Sequence, residues 1–229
     1  MDRRLFVSTV AVGGLSASAG CLGGYLDDLT SFAASPAAVA EPATDEAGYD
    51  YQGTERTVET KDVFGTRVEA TNYISGYHRT IDVALGPFED ETESGVFGVI
   101  TTPKASLGDE HFNPVGDMTH AEIAERVQSQ YDELEVADEV THRRTVDAFG
   151  GAITVDTFEA EASFQGALEV DAFVDISQPD HDGDHVVVVG IYPDHPGFQR
   201  EAEAERIDTM IAGLRHGSDV DVTLVTGEF

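Results

Sequence analysis

The chain has 229 residues, with 44 acidic against 13 basic side chains and a formal net charge of −31. That balance leaves no basic stripe to meet phosphates and argues against nucleic acid as a partner. One cysteine rules out an internal disulfide, and 12 Phe with 7 Tyr argue against a disordered acidic chain.

Residues 1–21 read as a signal peptide. Arg3 and Arg4 precede an apolar, small-residue run from Leu5 to Ala19, which ends in Ser18-Ala19-Gly20-Cys21. The run is shorter and richer in Gly, Ser and Ala than a membrane span, which needs about 20 strongly apolar residues. Arg3-Arg4-Leu5-Phe6-Val7 resembles the twin-arginine export signal, and Ser18-Ala19-Gly20-Cys21 resembles a lipobox. Those resemblances imply export in the folded state, a lipid on the Cys21 sulfur and anchorage to the membrane through it. Cys21 is the only cysteine, and lipidation removes a free exposed thiol. The alternative is an uncleaved N-terminal helix with a buried thiol.

Residues 22–47, rich in Ala, Ser and Pro without lasting periodicity, read as a flexible spacer. Residues 48–229 read as one domain. Extended segments are expected at 49–60 and 66–75 around a turn at Gly65. Ile81, Val83 and Leu85 alternate as in a half-buried strand that Gly86-Pro87 ends. Val96 to Ile100 reads as a buried strand. Thr119 and Glu122 form a capping box ahead of a helix with Ile123, Val127, Tyr131 and Leu134 on its apolar face.

Thr141 to Phe149 and Ala152 to Ala162 are expected to pair through a tight turn at Gly150-Gly151. Ile153 and Val155 alternate in one phase, and Phe158, Ala160 and Ala162 in the other, so a bulge is expected near Thr157. Leu168, Val170, Ala172, Val174 and Ile176 alternate with Glu169, Asp171 and Asp175, which predicts a wet face. Val186 to Ile191 is continuously apolar and should be central, covered on both sides. The last helix is expected to open at Asp194-His195-Pro196, bury Ile207, Met210, Ile211 and Leu214, and end at Arg215, His216 and Gly217. A short strand follows Ser218.

Strands, helix, strands, helix in that order predict an α+β fold, an antiparallel β-sheet packed with helices. The helix before Arg143-Arg144, the Gly150-Gly151 turn, the Val-rich strand and the closing helix are similar to the PsbP-like α/β sandwich. Members of that superfold mostly bind or assemble partners, which is analogy. The leader, the lone lipobox cysteine, the spacer and the acidic body resemble secreted lipoproteins of halophilic archaea. Phe97 to Pro103, Asn113 to Met118 and Val127 to Tyr131 resemble one haloarchaeal lipoprotein family of unknown function, over most of residues 45–216. That resemblance implies no activity and no site residues.

The acidic residues are spread along the chain, and Lys61 and Lys104 are the only lysines. Self-repulsion on that scale opposes a compact state in dilute buffer. Molar salt shortens the Debye length to about 3 Å and removes most of the cost. The surface therefore reads as one built for high salt. A cation-binding protein is the alternative, but the acids follow no ligand spacing.

His181, Asp182, Asp184 and His185 form the most metal-like cluster, although Asp182-Gly183 is also turn chemistry. Asp194 and His195 would reach that cluster only if the intervening strand folded back. His78-Arg79 and His142-Arg143-Arg144 are the tight basic spots; they could meet an anionic ligand, but pairing with nearby carboxylates is the simpler reading. Asp109, Glu110 and His111 bring two acids and an imidazole into one loop, the weakest basis for a hydrolase. No nucleophile elbow, phosphate loop or dinucleotide fingerprint is present, so no catalytic residue and no cofactor are expected. The expectation is a non-enzymatic binding or accessory module on the outer face of the cell membrane, held by the lipid on Cys21 and meeting a protein partner there. An extracellular solute- or metal-binding lipoprotein is the first alternative, a secreted hydrolase the second.

Overall fold

A computed structural model describes residues 31–63, 66–81, 92–107, 110–111, 113–130, 134–164, 168–194 and 199–226. Within them run β1 (Ser31–Ala33), β2 (Ala37–Val39), α1 (Glu41–Ala47), β3 (Asp50–Val63), β4 (Thr66–Ile81) and β5 (Thr92–Pro103). The short β6 (Ser106–Leu107) and β7 (Glu110–His111) pair, and a 3₁₀ turn (Pro114–Asp117) leads into α2 (His120–Gln128). β8 (Leu134–Ala148), β9 (Gly151–Phe164), β10 (Leu168–Ser177), β11 (Asp180–His181) and β12 (Asp184–Pro193) follow. The described chain closes with α3 (Arg200–Ala212), β13 (Leu214–His216) and β14 (Leu224–Val225). No helix of the described residues is long and apolar enough to cross a membrane.

One sheet of 10 strands dominates, in the order β14-β3-β4-β5-β12-β10-β9-β8, with β1 also on β4 and β11 also on β12. The sheet is mixed: β1 joins β4 and β14 joins β3 in parallel, while the other ladders are antiparallel. The fold is therefore mostly β and corrects the expected α+β fold, the antiparallel PsbP-like sandwich. The α-helices among the described residues span only 7, 9 and 13 residues. The β3–β4 hairpin is longer than the expected segments because much of its far end is solvent-facing, where apolar alternation gives no signal.

The spacer is also corrected. Residues 31–47 form β1, β2 and α1, and Ala37, Val39 and Ala47 are buried in the core. β1 takes the place beside β4 that β5 leaves beyond Tyr73, pairing Ser31 to Ala33 with Glu69 to Thr71.

β12 lies between β5 and β10, as a continuous Val run requires. Val186, Val188 and Tyr192 enter one core with Phe97, Phe173, Ile207, Met210 and Ile211, under α1 and α3. Val187 and Val189 enter the other core with Phe158, Val174 and Ile176, under α2. This two-sided cover explains the phase change in β9. Val155 faces α3 and Phe158 faces α2, and the β9–β10 ladder runs through Thr157 without a shift. The expected irregularity near Thr157 lies on its other side, in the β8–β9 ladder, where the register shifts between Val140–Phe158 and His142–Thr157. The predicted wet face of β10 is also corrected, since Phe173 and Asp175 are both buried.

The Thr119 capping box forms: Glu122 N–H donates to Thr119 Oγ1 at 3.2 Å, and Thr119 N–H to Glu122 Oε2 at 2.7 Å. α2 stops at Gln128, so Leu134 belongs to β8 and Tyr131 lies outside the described residues. α3 opens at Arg200 and not at Asp194, whose N–H donates to Asp171 O at 2.7 Å. Arg215 and His216 lie past its end, in a strand.

Candidate functional site

Two tight turns meet at one end of the sheet. Ala148 pairs with Gly151 across Phe149-Gly150, and His181 pairs with Asp184 across Asp182-Gly183. All four loop residues have positive φ: 54° and 78° in the first turn, 46° and 89° in the second. Both therefore follow the twisted two-residue pattern favoured by antiparallel strands. Asp-Gly suits it. Phe149 does not, since a bulky side chain in the left-handed region is an outlier. The Gly150-Gly151 turn of the sequence is thus shifted back by one residue.

Register divides the metal-like cluster. Directly paired residues share a face of a hairpin, and their neighbours take the other. His181 pairs with Asp184, and Asp180 with His185. On one face, His185 Nδ1 lies 2.6 Å from Asp180 Oδ1, which also holds Lys104 through its other oxygen at 2.9 Å. On the opposite face, His181 and Asp184 meet His216 of β13. The four residues do not converge, Asp182 being 74% exposed at the turn. Among the described residues no group of three or more His, Cys, Asp or Glu could hold a metal ion.

The second face carries a hydrogen-bonded chain that starts at a buried carboxylate. Asp184 Oδ2 accepts the Ser35 amide hydrogen at 2.8 Å and lies 3.0 Å from His216 Nε2. His216 Nδ1 lies 2.9 Å from His181 Nδ1. A carboxylate only accepts, so His216 Nε2 donates to it. With the His216 ring neutral, Nδ1 accepts, and His181 donates from its own Nδ1. That leaves the lone pair on His181 Nε2, which has no partner among the described residues. The His216 side chain is fully buried, while His181 is 25% exposed and stacks on Phe149 with ring centroids 4.5 Å apart.

β13 brings His216 there because of a close approach upstream. A Cβ on Gly213 would stand 2.3 Å from Ala43 Cβ, so only glycine lets α3 end against α1. Gly213 O then accepts from Ala40 N–H at 2.9 Å, and β13 pairs with β2, His216 opposite Ala37.

Above this chain lies an open depression of about 370 Å³, whose walls include Asp147, Phe149, His181, Leu214, Arg215 and His216. Arg215 is exposed and donates from Nη1 to Leu214 O at 2.8 Å. Nη1 also reaches Gly213 O at 3.4 Å, whereas Nε, Nη2 and the exposed Asp147 carboxylate have no protein partner among the described residues.

The basic spots are absorbed by carboxylates, several of them buried. Arg79 pairs with Glu203 on α3. Arg143 donates to Asp156 at 2.5 and 2.9 Å, and His120 Nδ1 lies 2.8 Å from the same group. The Arg143 hydrogen bond holds the Asp156 carboxyl below the usual carboxylate range, against burial, with His120 adding to it. Arg144 faces the other way and bonds Asp175, Thr157 and Asp208. Burial opposes its charge, yet Asp175 and then Asp208 hold its pKa above the ordinary arginine value. For Asp208 burial prevails and raises the carboxyl pKa despite Arg144. His142 is exposed.

Cys21, Arg3, Arg4, Asp109 and His195 lie outside the described residues, while Glu110 and His111 form β7. Sequence reading missed His216, Phe149 and Arg215 as site residues, because 35 positions separate His216 from His181.

Among curated proteins no sequence matches the chain. A family model described as a domain of unknown function, DUF6517, matches residues 36–215. The match opens ahead of β2, consistent with the placement of residues 37–47 in the folded body. It takes in Phe149, His181, Asp184 and Arg215 and covers most of the chain, which therefore belongs to the DUF6517 family.

Proposed function

We propose that this chain is a lipid-anchored protein of the outer cell surface in a high-salt organism, and that its body is a non-enzymatic binding module. The observation that carries the binding reading is the depression over His181. An aromatic ring in a strained turn, an imidazole with a free nitrogen and a guanidinium whose Nε and Nη2 are uncommitted meet there beside apolar walls. A few convergent polar groups in a concave site are what small-ligand recognition needs. Backbone strain is retained where the surroundings over-determine it, and functional sites are where such strain collects.

The Arg3-Arg4 leader, the lone Cys21 and the net charge of −31 support the address. The described body reaches back to Ser31, which ten residue steps hold within about 35 Å of Cys21. This reading keeps the depression close to the membrane.

Two experiments test the reading. Cys21→Ser in the native host should release the protein from the envelope fraction and remove the mass of the lipid. Envelope sedimentation at an unchanged mass contradicts the anchor. A saturation-transfer screen of small polar fragments in molar KCl should find binders that shift the Ala148, Phe149 and Leu214 amides. Binders that shift only distant amides contradict the site.

A further inference from the structure

We propose that the His181 depression binds a small oxyanion, a carboxylate or a tetrahedral sulfate- or phosphate-type group, and takes up one proton with it. The inference rests on the binding reading above and adds the ligand class and its linkage to protons.

Of the four ring nitrogens of His216 and His181, three are committed. His216 Nε2 gives its hydrogen to Asp184, His216 Nδ1 accepts from His181, and His181 Nδ1 gives its hydrogen away. Ser35 N–H fixes the same Asp184 oxygen from the other side. A proton entering this system finds a lone pair at His181 Nε2 without any other hydrogen moving. The result is an imidazolium whose Nδ1–H still points to His216 and whose Nε2–H is new. Asp184, buried and reached through His216, supplies the compensating charge.

The groups facing His181 come from each element around it. Asp182 Oδ2 lies 3.7 Å from Nδ1 in its own turn. His216 and Arg215 come from β13, Asp184 from β12 and Asp147 from β8, while β2 contributes only small residues. Lys104 and Asp180 pair with each other on the other face. Once His181 is protonated, the depression holds two cations with N–H groups free for a ligand, His181 and Arg215. A guanidinium fork suits a two-oxygen acceptor. Asp147 opposes the anion, and among the described residues it is the only other charged side chain lining the depression. The neutral site offers an acceptor at Nε2 and repels an oxygen lone pair, so the anion and the proton must arrive together.

The test is titration calorimetry of the full chain in detergent and molar KCl, with sulfate and separately with acetate as probes. Neither titrates near neutral pH, so any proton taken up belongs to the protein. Runs in two buffers of different ionisation enthalpy read that uptake. The proposal expects saturable binding of at least one probe with net proton uptake, and acetate against sulfate reports which oxyanion shape fits. Arg215→Gln should weaken binding about tenfold, the loss of one charge-assisted hydrogen bond. Asp147→Asn should tighten it, and His181→Gln should abolish the uptake. Both Arg215 and Asp147 are exposed, so these two variants leave the core intact. Saturable binding without proton uptake overturns the linkage and leaves the binding module standing. Absence of saturable heat with either probe overturns the oxyanion assignment, while the fragment screen still decides the binding reading.

Discussion

Arg144 offers the sharpest test of what holds the folded body together. Its guanidinium donates to Asp208 at 2.8 Å, to Thr157 at 3.0 Å and to the two oxygens of Asp175 at 3.1 and 2.7 Å. The Asp175 side chain is 1% exposed and Arg144 14% exposed, so water replaces neither. Arg144→Met keeps the stem and leaves the Asp175 carboxylate buried with the Thr157 and Tyr192 hydroxyls but no cation. Breaking one side of a buried pair costs about 3–5 kcal/mol. A urea slope of about 2–3 kcal/mol/M then lowers the unfolding midpoint by about 1–2.5 M. The double variant Arg144→Met/Asp175→Leu removes both charges and should lose much less than the sum of the single losses. Salt discriminates further, because molar KCl screens exposed pairs and leaves this one in force. Urea unfolding of the four proteins in molar KCl completes the cycle. Strict additivity, or an Arg144→Met loss below about 1 kcal/mol, refutes the reasoning.

Other outcomes follow from the same structure. Asp156 has a depressed pKa in the fold, so its contribution is full above the unfolded value of about 4 and is lost as pH falls through the folded value. Asp156→Asn should therefore be less stable than the parent at neutral pH and show a shallower loss between about pH 5 and 2 in acid-unfolding curves. Transfer from molar KCl to dilute buffer at fixed pH should lower the melting temperature, because the net charge of −31 is then unscreened; an unchanged melting temperature contradicts the reading of the charge. Gly213→Ala should destabilise the chain by about 1–3 kcal/mol through overpacking against Ala43, measured by thermal unfolding. Phe149→Asn should relax the turn, since Asn tolerates positive φ, yet weaken ligand binding by removing the ring under His181.

Local chemistry explains what could be read from the sequence. Thr119 and Glu122 announce a helix start with two side chains three residues apart, and the cap forms. Val186 to Ile191 announces a strand covered on both faces, and β12 has that place. Residues 31–47 gave no such signal because they bury small side chains: Ala37 and Ala47 are 1% exposed, but Ala has no strong preference for core or tether. β1 and β14 are 3 and 2 residues long, too short for any period. These two strands make the sheet mixed. Asp175 reads as solvent-facing by alternation and is buried because Arg144 from β8 and Thr157 from β9 bond it, while Asp208 of α3 bonds Arg144.

The site was legible in half. His181 and Asp184 stood out as ligand-like, and once Asp182-Gly183 is a two-residue turn, period-two geometry separates them from His185 and Asp180. The third member was hidden. His216 reads as a cation at a helix C-terminus, and it reaches Asp184 only because Gly213 ends α3 against α1 and turns the chain along β2. Phe149 precedes two glycines that advertise the turn for themselves.

The hydrogen order along Asp184, His216 and His181 underlies the account of the site, and ring ¹⁵N shifts report it directly. A long-range ¹H–¹⁵N spectrum of the labelled full chain in molar KCl, above the histidine titration, should show His216 protonated at Nε2 and His181 protonated at Nδ1. His181 Nε2 should appear at the shift of an unprotonated nitrogen and move towards the protonated value when an oxyanion binds. A spectrum with the His181 proton on Nε2, or with His216 protonated only at Nδ1, contradicts the account.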